Sequence, residues 1–310
     1  MTISLVRNLF LVLLSVAATS VRSQDTSTLS YDQKIDVVYG EVHGTGLLMD
    51  VFVPKSKTNG LAVIDVVSGA FYSDRSKIRD HIMGRIFQIF CARGYTVFAV
   101  RPGSRTRYTG FEMAANVKTA IRYVKQHAAD YRIDPERIGI TGASAGGHLA
   151  TLVSVAPDEA KSEASSAMRF STQIKAAAVF FPPTDFLDWD GKPAELEVIG
   201  DLLFPGGIKD RSPEELKRKA EQLSPARQVK GIPVPFLLIH GDADPVVPLQ
   251  QSQKMVEVLK KAGGSAELLI KKGGGHPWMT IFEEVKLMAD WFDQHLPETV
   301  TTGSQAPEQK

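Results

Sequence analysis

Residues Gly142-Ala143-Ser144-Ala145-Gly146, followed by Gly147-His148, constrain this chain more than any other stretch. They join a β-rich run at 137–141 to a helix-forming run at 148–153. A G-x-S-x-G pattern acquires mechanical meaning in that context, a sharp turn from strand to helix. Small residues on both sides of Ser144 let the turn be tight. The serine is then forced into a strained backbone conformation, with its hydroxyl pushed out at the end of a sheet. The helix behind it aims backbone N–H groups and a positive dipole end at the same spot. The spacing predicts an exposed nucleophile. The bland alternative is a glycine-rich turn that merely requires a small residue.

Apolar strand-like runs at 61–67, 96–100, 137–141, 176–181, 235–239 and 266–270 are nearly continuous in hydrophobic residues. Buried parallel strands read this way. Asp65 interrupts the first of them, and no local pattern accounts for it. Between the strands run helical stripes. Ile78, Ile82, Ile86 and Phe90 recur every four residues. Ala114, Val117, Ile121, Val124 and Ala128 form a second stripe, and Ile281, Val285, Met288 and Phe292 a third. Such alternation predicts an α/β fold, a mainly parallel sheet covered on both faces. Its site belongs at the carboxyl ends of the strands, where Ser144 falls. Upstream, alternating runs at 34–39 and 47–53 flank Gly44-Thr45-Gly46 and read as an antiparallel hairpin at a sheet edge.

Two segments break the rhythm. Residues 157–172 read as an exposed excursion. Residues 182–233 are too long for a plain crossover, so part of them is expected to cap the site, an ordinary helix with long loops being the alternative. The first 23 residues read as a secretory signal: Arg7, an apolar run at 9–18, then small residues, with cleavage between Ser20 and Gln24. The run is short of the roughly 20 apolar residues of a membrane span, so no stable membrane anchor is expected. The main domain is expected over 30–297, and the polar tail at 298–310 is expected to be disordered. A net charge of +1 gives no argument for a nucleic-acid partner. The single cysteine, Cys91, excludes an internal disulfide framework and a multi-cysteine metal site, and reads as a core thiol.

A serine hydroxyl needs a base, and the base an orienting group. Both are available downstream. His240-Gly241-Asp242-Ala243-Asp244-Pro245 follows one strand, and Asp244, held before a proline-bounded turn, is preferred to Asp242. Gly273-Gly274-Gly275-His276 follows the last strand, and its glycines can bring His276 back over the sheet end. His148 and His240 are expected to bond locally near their elements, and His43, His81, His127 and His295 to be surface or core residues. An oxyanion hole would use the N–H of Ala145 and a second N–H from the loop Ser68–Tyr72, at Ala70 with Gly69 or Phe71 as alternatives. Phe71, Tyr72 and Trp189, with Phe186 and Phe204, are candidates to bind substrate or to be core. No metal or organic cofactor is implied.

Gly142–Ala150, the run Ile133-Asp134-Pro135-Glu136-Arg137-Ile138, the Asp244 loop and Gly275-His276 together resemble the α/β-hydrolase superfamily. Within it the similarity is to the carboxylesterase/feruloyl-esterase-like and prolyl-oligopeptidase-like branch, over roughly residues 51–296. The resemblance implies a Ser-His-Asp triad acting on a small-molecule ester through an acyl-enzyme. A peptidase using the same triad and a non-catalytic binding protein on the same fold are the alternatives. Two departures stand out. Val67-Ser68-Gly69-Ala70-Phe71 replaces the branch's His-Gly-Gly-Gly, and Arg105 and Arg107 follow an unusual Val100-Arg101-Pro102-Gly103-Ser104. Those arginines could meet an anionic substrate group or form a solvated basic loop. Oligomeric state is not legible.

Overall fold

A computed structural model describes residues 29–161 and 166–297. The predicted signal segment at 1–23 and the tail at 298–310 lie outside the described residues. Eight strands form one sheet in the order β1-β2-β4-β3-β5-β6-β7-β8. β1 (Tyr31–Val42) and β2 (Thr45–Pro54) make the edge hairpin, and β2 joins β4 (Thr96–Val100) antiparallel. From β4 onward the sheet is parallel through β3 (Ala62–Val66), β5 (Ile138–Ala143), β6 (Ala176–Phe180), β7 (Phe236–Gly241) and β8 (Ala266–Lys271). β3 and β4 are buried along their whole length, as apolar runs covered on both faces must be.

Two apolar clusters sit on opposite faces. One gathers α3 (Gly110–Gln126), α5 (Ala145–Val155) and α8 (Gln250–Lys261) through Val117, Leu149 and Leu259. The other gathers α1 (Arg75–Met83), α2 (Ile86–Ala92) and α9 (Ile281–His295) through Ile78, Phe90 and Phe292. α3 starts with a capping box, Thr109 and Glu112 satisfying each other's backbone N–H, worth about 1 kcal/mol. The remaining helices are α4 (Ala128–Tyr131), α6 (Leu196–Leu203) and α7 (Pro213–Leu223). The stripe from Ile78 to Phe90 is two helices rather than one. Arg85 has φ of 59°, which turns the chain between α1 and α2 while both keep their apolar side on the sheet. In the 157–172 excursion, Asp158 is drawn back onto α3 by Lys118 (2.5 Å) and Arg122 (2.9 Å).

Asp65, unexplained locally, is fully buried in β3 and takes a 2.6 Å hydrogen bond from His81 Nδ1 on α1. The pair docks α1 on the sheet. Cys91 is buried on the same face, where burial pushes its thiol up to about 12.

Burial alone would push the His81 pKa down, but the Asp65 carboxylate outweighs it and holds the imidazolium above its ordinary value. A folded pKa above the unfolded one gives stability that is complete below about 6.5 and lost as pH climbs through the raised value. The double variant Asp65→Leu/His81→Phe removes both members of the pair. Urea unfolding should show wild type losing stability relative to that variant as pH rises above about 6.5. A pH-independent difference would mean that His81 folds uncharged.

Candidate active site

Ser144 stands between β5 and α5 with φ of 53° and ψ of −119°. A non-glycine residue persists there only when its surroundings over-determine it. The Ser144 N–H donates to Phe180 O (3.0 Å), and its carbonyl accepts from His148 N (2.8 Å). Gly146 N donates to Ser68 O at 2.9 Å, tying the start of α5 to the loop after β3. A Cβ on Gly146 would lie 2.0 Å from Val66 O, so the crossing admits only glycine.

Three side chains far apart in sequence meet here. His276 Nε2 lies 2.9 Å from Ser144 Oγ, and His276 Nδ1 lies 2.6 Å from Asp244 Oδ2. The carboxylate requires the proton on Nδ1, which leaves Nε2 free to accept from the serine hydroxyl. Asp244 Oδ1 accepts from Val246 N (2.8 Å) and Val247 N (2.9 Å). Burial pushes the Asp244 carboxyl up, but hydrogen bonds from His240, His276 and these two amides outweigh it, and its pKa falls well below the usual carboxylate range. Asp242 faces elsewhere: its Oδ1 accepts from Gly273 N at 2.6 Å and pins the glycine loop that carries His276.

The loop after β3 is a tight reversal. Gly69 N donates to Tyr72 O (2.9 Å), and Tyr72 N to Gly69 O (2.8 Å). Ala70 and Phe71 between them have φ of 48° and 63°, a type I′ pattern usually reserved for Asn and Gly. The reciprocal bonds commit the Gly69 N–H, which removes Gly69 as an oxyanion donor. Ala70 remains in the turn, and Ala145 is the first residue of α5, whose N–H finds no acceptor within a helix.

The site opens into a cleft of about 1490 Å³. Phe71, Tyr72, Phe186 and Trp189 line it, whereas Phe204 is buried in the core under the Arg211 guanidinium. α6, from the 182–233 segment, supplies one wall through Val198, Ile199 and Leu202. Arg105 corrects both readings made of it: its Nε donates to Asp201 at 2.8 Å, so it fastens α6 to the loop after β4. Arg107 donates to His43 O at 3.0 Å. Among the described residues no group of three His, Cys, Asp or Glu could hold a metal ion.

Sequence reasoning passed over Phe181 and Gly241, and it read His240 as bonding locally at its strand end, as it does, without its approach to Asp244. His240 Nε2 donates to Val247 O (2.9 Å) and stands 3.4 Å from Asp244 Oδ2, while its Nδ1 accepts from Ser252 Oγ at 2.7 Å. The four-residue spacing from His240 to Asp244 was the available signal. Phe181 packs its ring 4.3 Å from the His276 ring with a φ of 33°, a placement no local pattern announces. Gly241 closes on the histidine loop: a Cβ there would lie 2.1 Å from Gly274 O. His148 likewise bonds locally as read, donating from Nδ1 to Pro183 O at 3.0 Å, and burial pulls its pKa to about 4.

Gly241→Ala should push away the loop holding His276 and slow labelling of Ser144 by a fluorophosphonate about a hundredfold, the scale set by a displacement of about 1 Å. Labelling at the wild-type rate would show that the loop absorbs the methyl group.

The BD-FAE family model matches residues 49–259. The chain is 26% identical over 235 residues to the probable carboxylic ester hydrolase LipM of Mycobacterium tuberculosis, covering 73% of this chain and 51% of that protein. It is 26% identical over 229 residues to the uncharacterized peptidase YuxL of Bacillus subtilis, covering 68% and 31%. It thus spans about half or less of the length of these curated relatives. A truncated carbohydrate esterase from gut microbiota superposes with a TM-score of 0.74 at 27% identity, over 86% of this chain and 97% of that one. The butyrate-bound esterase Est2 of Thermogutta terrifontis gives 0.65 at 25% identity, over 88% and 97%. With the family model matching more than half of its length and these neighbours sharing its sheet and helices, the chain belongs to the BD-FAE family and has the α/β-hydrolase fold.

Proposed function

We propose that this chain is a serine hydrolase that cleaves carboxylic esters through an acyl-enzyme. The observation that carries the reading is the line Ser144 Oγ, His276, Asp244, with contacts of 2.9 and 2.6 Å. Ser144 attacks the ester carbonyl as His276 Nε2 takes its proton. The charge on the tetrahedral oxygen is met by the N–H groups of Ala145 and Ala70, a contribution of about 10²–10³ in rate per donor. The intermediate collapses, and the alcohol leaves with the proton carried by His276. Water, deprotonated by the same imidazole, then attacks the acyl carbonyl, releases the acid and restores Ser144. Asp244 stays ionised throughout, holding the tautomer and stabilising the imidazolium.

Ester rather than amide cleavage is favoured by the names of LipM and of the solved neighbours. YuxL, named a peptidase, motivates the competing reading. Wild type and Ser144→Ala should be compared with a fluorophosphonate, p-nitrophenyl esters and aminoacyl anilides. Wild type is expected to be labelled and to cleave esters, and Ser144→Ala to do neither. His276→Ala should lose about as much rate as Ser144→Ala, because the members of such a site act as a unit. Faster cleavage of anilides than of esters would favour the peptidase. An unlabelled wild type would exclude both.

We also propose that the chain is exported, on the strength of Arg7, the apolar run at 9–18 and the small residues after it. Mass spectrometry of the protein from an envelope or culture-fluid fraction should find an N-terminus between Ser20 and Gln24. An intact Met1 there would count against cleavage.

A further inference from the structure

Apolar side chains standing in water are unevenly placed on this molecule. Ten large ones are exposed among the described residues, and five of them, Tyr72, Met83, Val198, Val246 and Met279, border the cleft at Ser144. Met279 is 96% exposed and Met83 79%. Scattered exposed apolar residues need no explanation, but a set around one opening marks a binding surface.

The cleft lies across the end of the sheet and reaches both faces. Phe186, Ile199 and Leu202 belong to the cluster on the α3 and α5 face. Ile86, Trp278 and Ile281 belong to the one on the α1 and α9 face. Two apolar arms therefore extend from the Ser144–His276 contact. One runs under α6. The other runs between α1 and α9, with Met83 and Met279 at its mouth, side chains whose flexibility suits a ligand of variable shape.

Ionic groups in the lining are mostly committed within the protein. His81 is held by Asp65 at 2.6 Å, Arg105 by Asp201 at 2.8 Å and Lys77 by Asp80 at 3.4 Å. Asp74 caps α1 through Ser76 N at 2.7 Å. Lys192 and Glu195 are exposed just before α6. A charged or many-hydroxyl substrate would give up hydration in these arms for little return, whereas hydrocarbon gains from leaving water.

We propose that the cleft takes esters apolar on both sides of the scissile bond, the acyl chain in one arm and the alcohol in the other. This rests on the ester-hydrolase reading above. Each methylene fully buried in an arm raises kcat/KM by about fourfold. From acetyl to hexanoyl the ceiling is about 200-fold.

Two substrate series with the full chain test it: p-nitrophenyl acetate to decanoate, and acetates of alcohols from ethanol to octanol beside an acetylated sugar. Both series should rise by at least about tenfold, and octyl acetate should exceed the acetylated sugar by a similar factor. Met83→Glu/Met279→Glu should cut the long-to-short ratio about tenfold in one series, identifying its arm, while Met83→Leu/Met279→Leu keeps it. A flat series, a preferred acetylated sugar, or a ratio indifferent to both glutamates overturns the inference and leaves the esterase reading standing. No cleavage of any ester together with no fluorophosphonate labelling overturns both.

Discussion

The close passage of the post-serine helix under the loop after β3 is the constraint on which the site depends. Gly146 crosses so near Val66 O that a methyl group would overlap the carbonyl, and its N–H is bonded to Ser68 O. That crossing sets the positive φ of Ser144 and places the first N–H groups of α5 beside the reversal at Ala70 and Phe71. Ser144 and the candidate oxyanion donors thus share one packed unit at the end of β3 and β5. The strain is offset by burial, since the neighbouring stretches of both strands lie in the core.

The second half of the site is assembled by a different route. Asp244 leaves β7, and His276 leaves β8, two neighbouring parallel strands. Their loops are stitched together by Asp242 to Gly273 N, Ala243 N to Gly274 O and the near contact of Gly241 with Gly274. The imidazole is then held from three directions: Asp244 at Nδ1, Ser144 at Nε2 and the Phe181 ring alongside. This is preorganisation by backbone, with little left to side-chain freedom.

Much of this was legible beforehand because its signals are local. G-x-S-x-G between an apolar strand and a helix, an acid four residues after a strand-end histidine, and a histidine behind three glycines each follow from nearby residues. The strand set and edge hairpin were legible for the same reason, as unbroken apolar runs and a glycine-marked turn. The break between α1 and α2 was hidden, since Ile78 to Phe90 keeps a helical period through a left-handed Arg85. Asp65 was opaque because its partner His81 lies sixteen residues on, across a loop and inside α1. Arg105 was misread because Asp201, its partner, comes from a distant segment.

By itself, then, the sequence determined the strand and helix periods, the positions of Ser144, Asp244 and His276 just past three strands, and the glycine positions that permit their turns. These are properties of short windows, set by side-chain volume, period and backbone freedom. Tertiary structure alone decided which amides remain available at the Ala70 reversal, which charges are paired, and that one cleft joins both faces of the sheet. Those depend on which atoms come within hydrogen-bond distance across tens or hundreds of residues, and no local pattern encodes that distance.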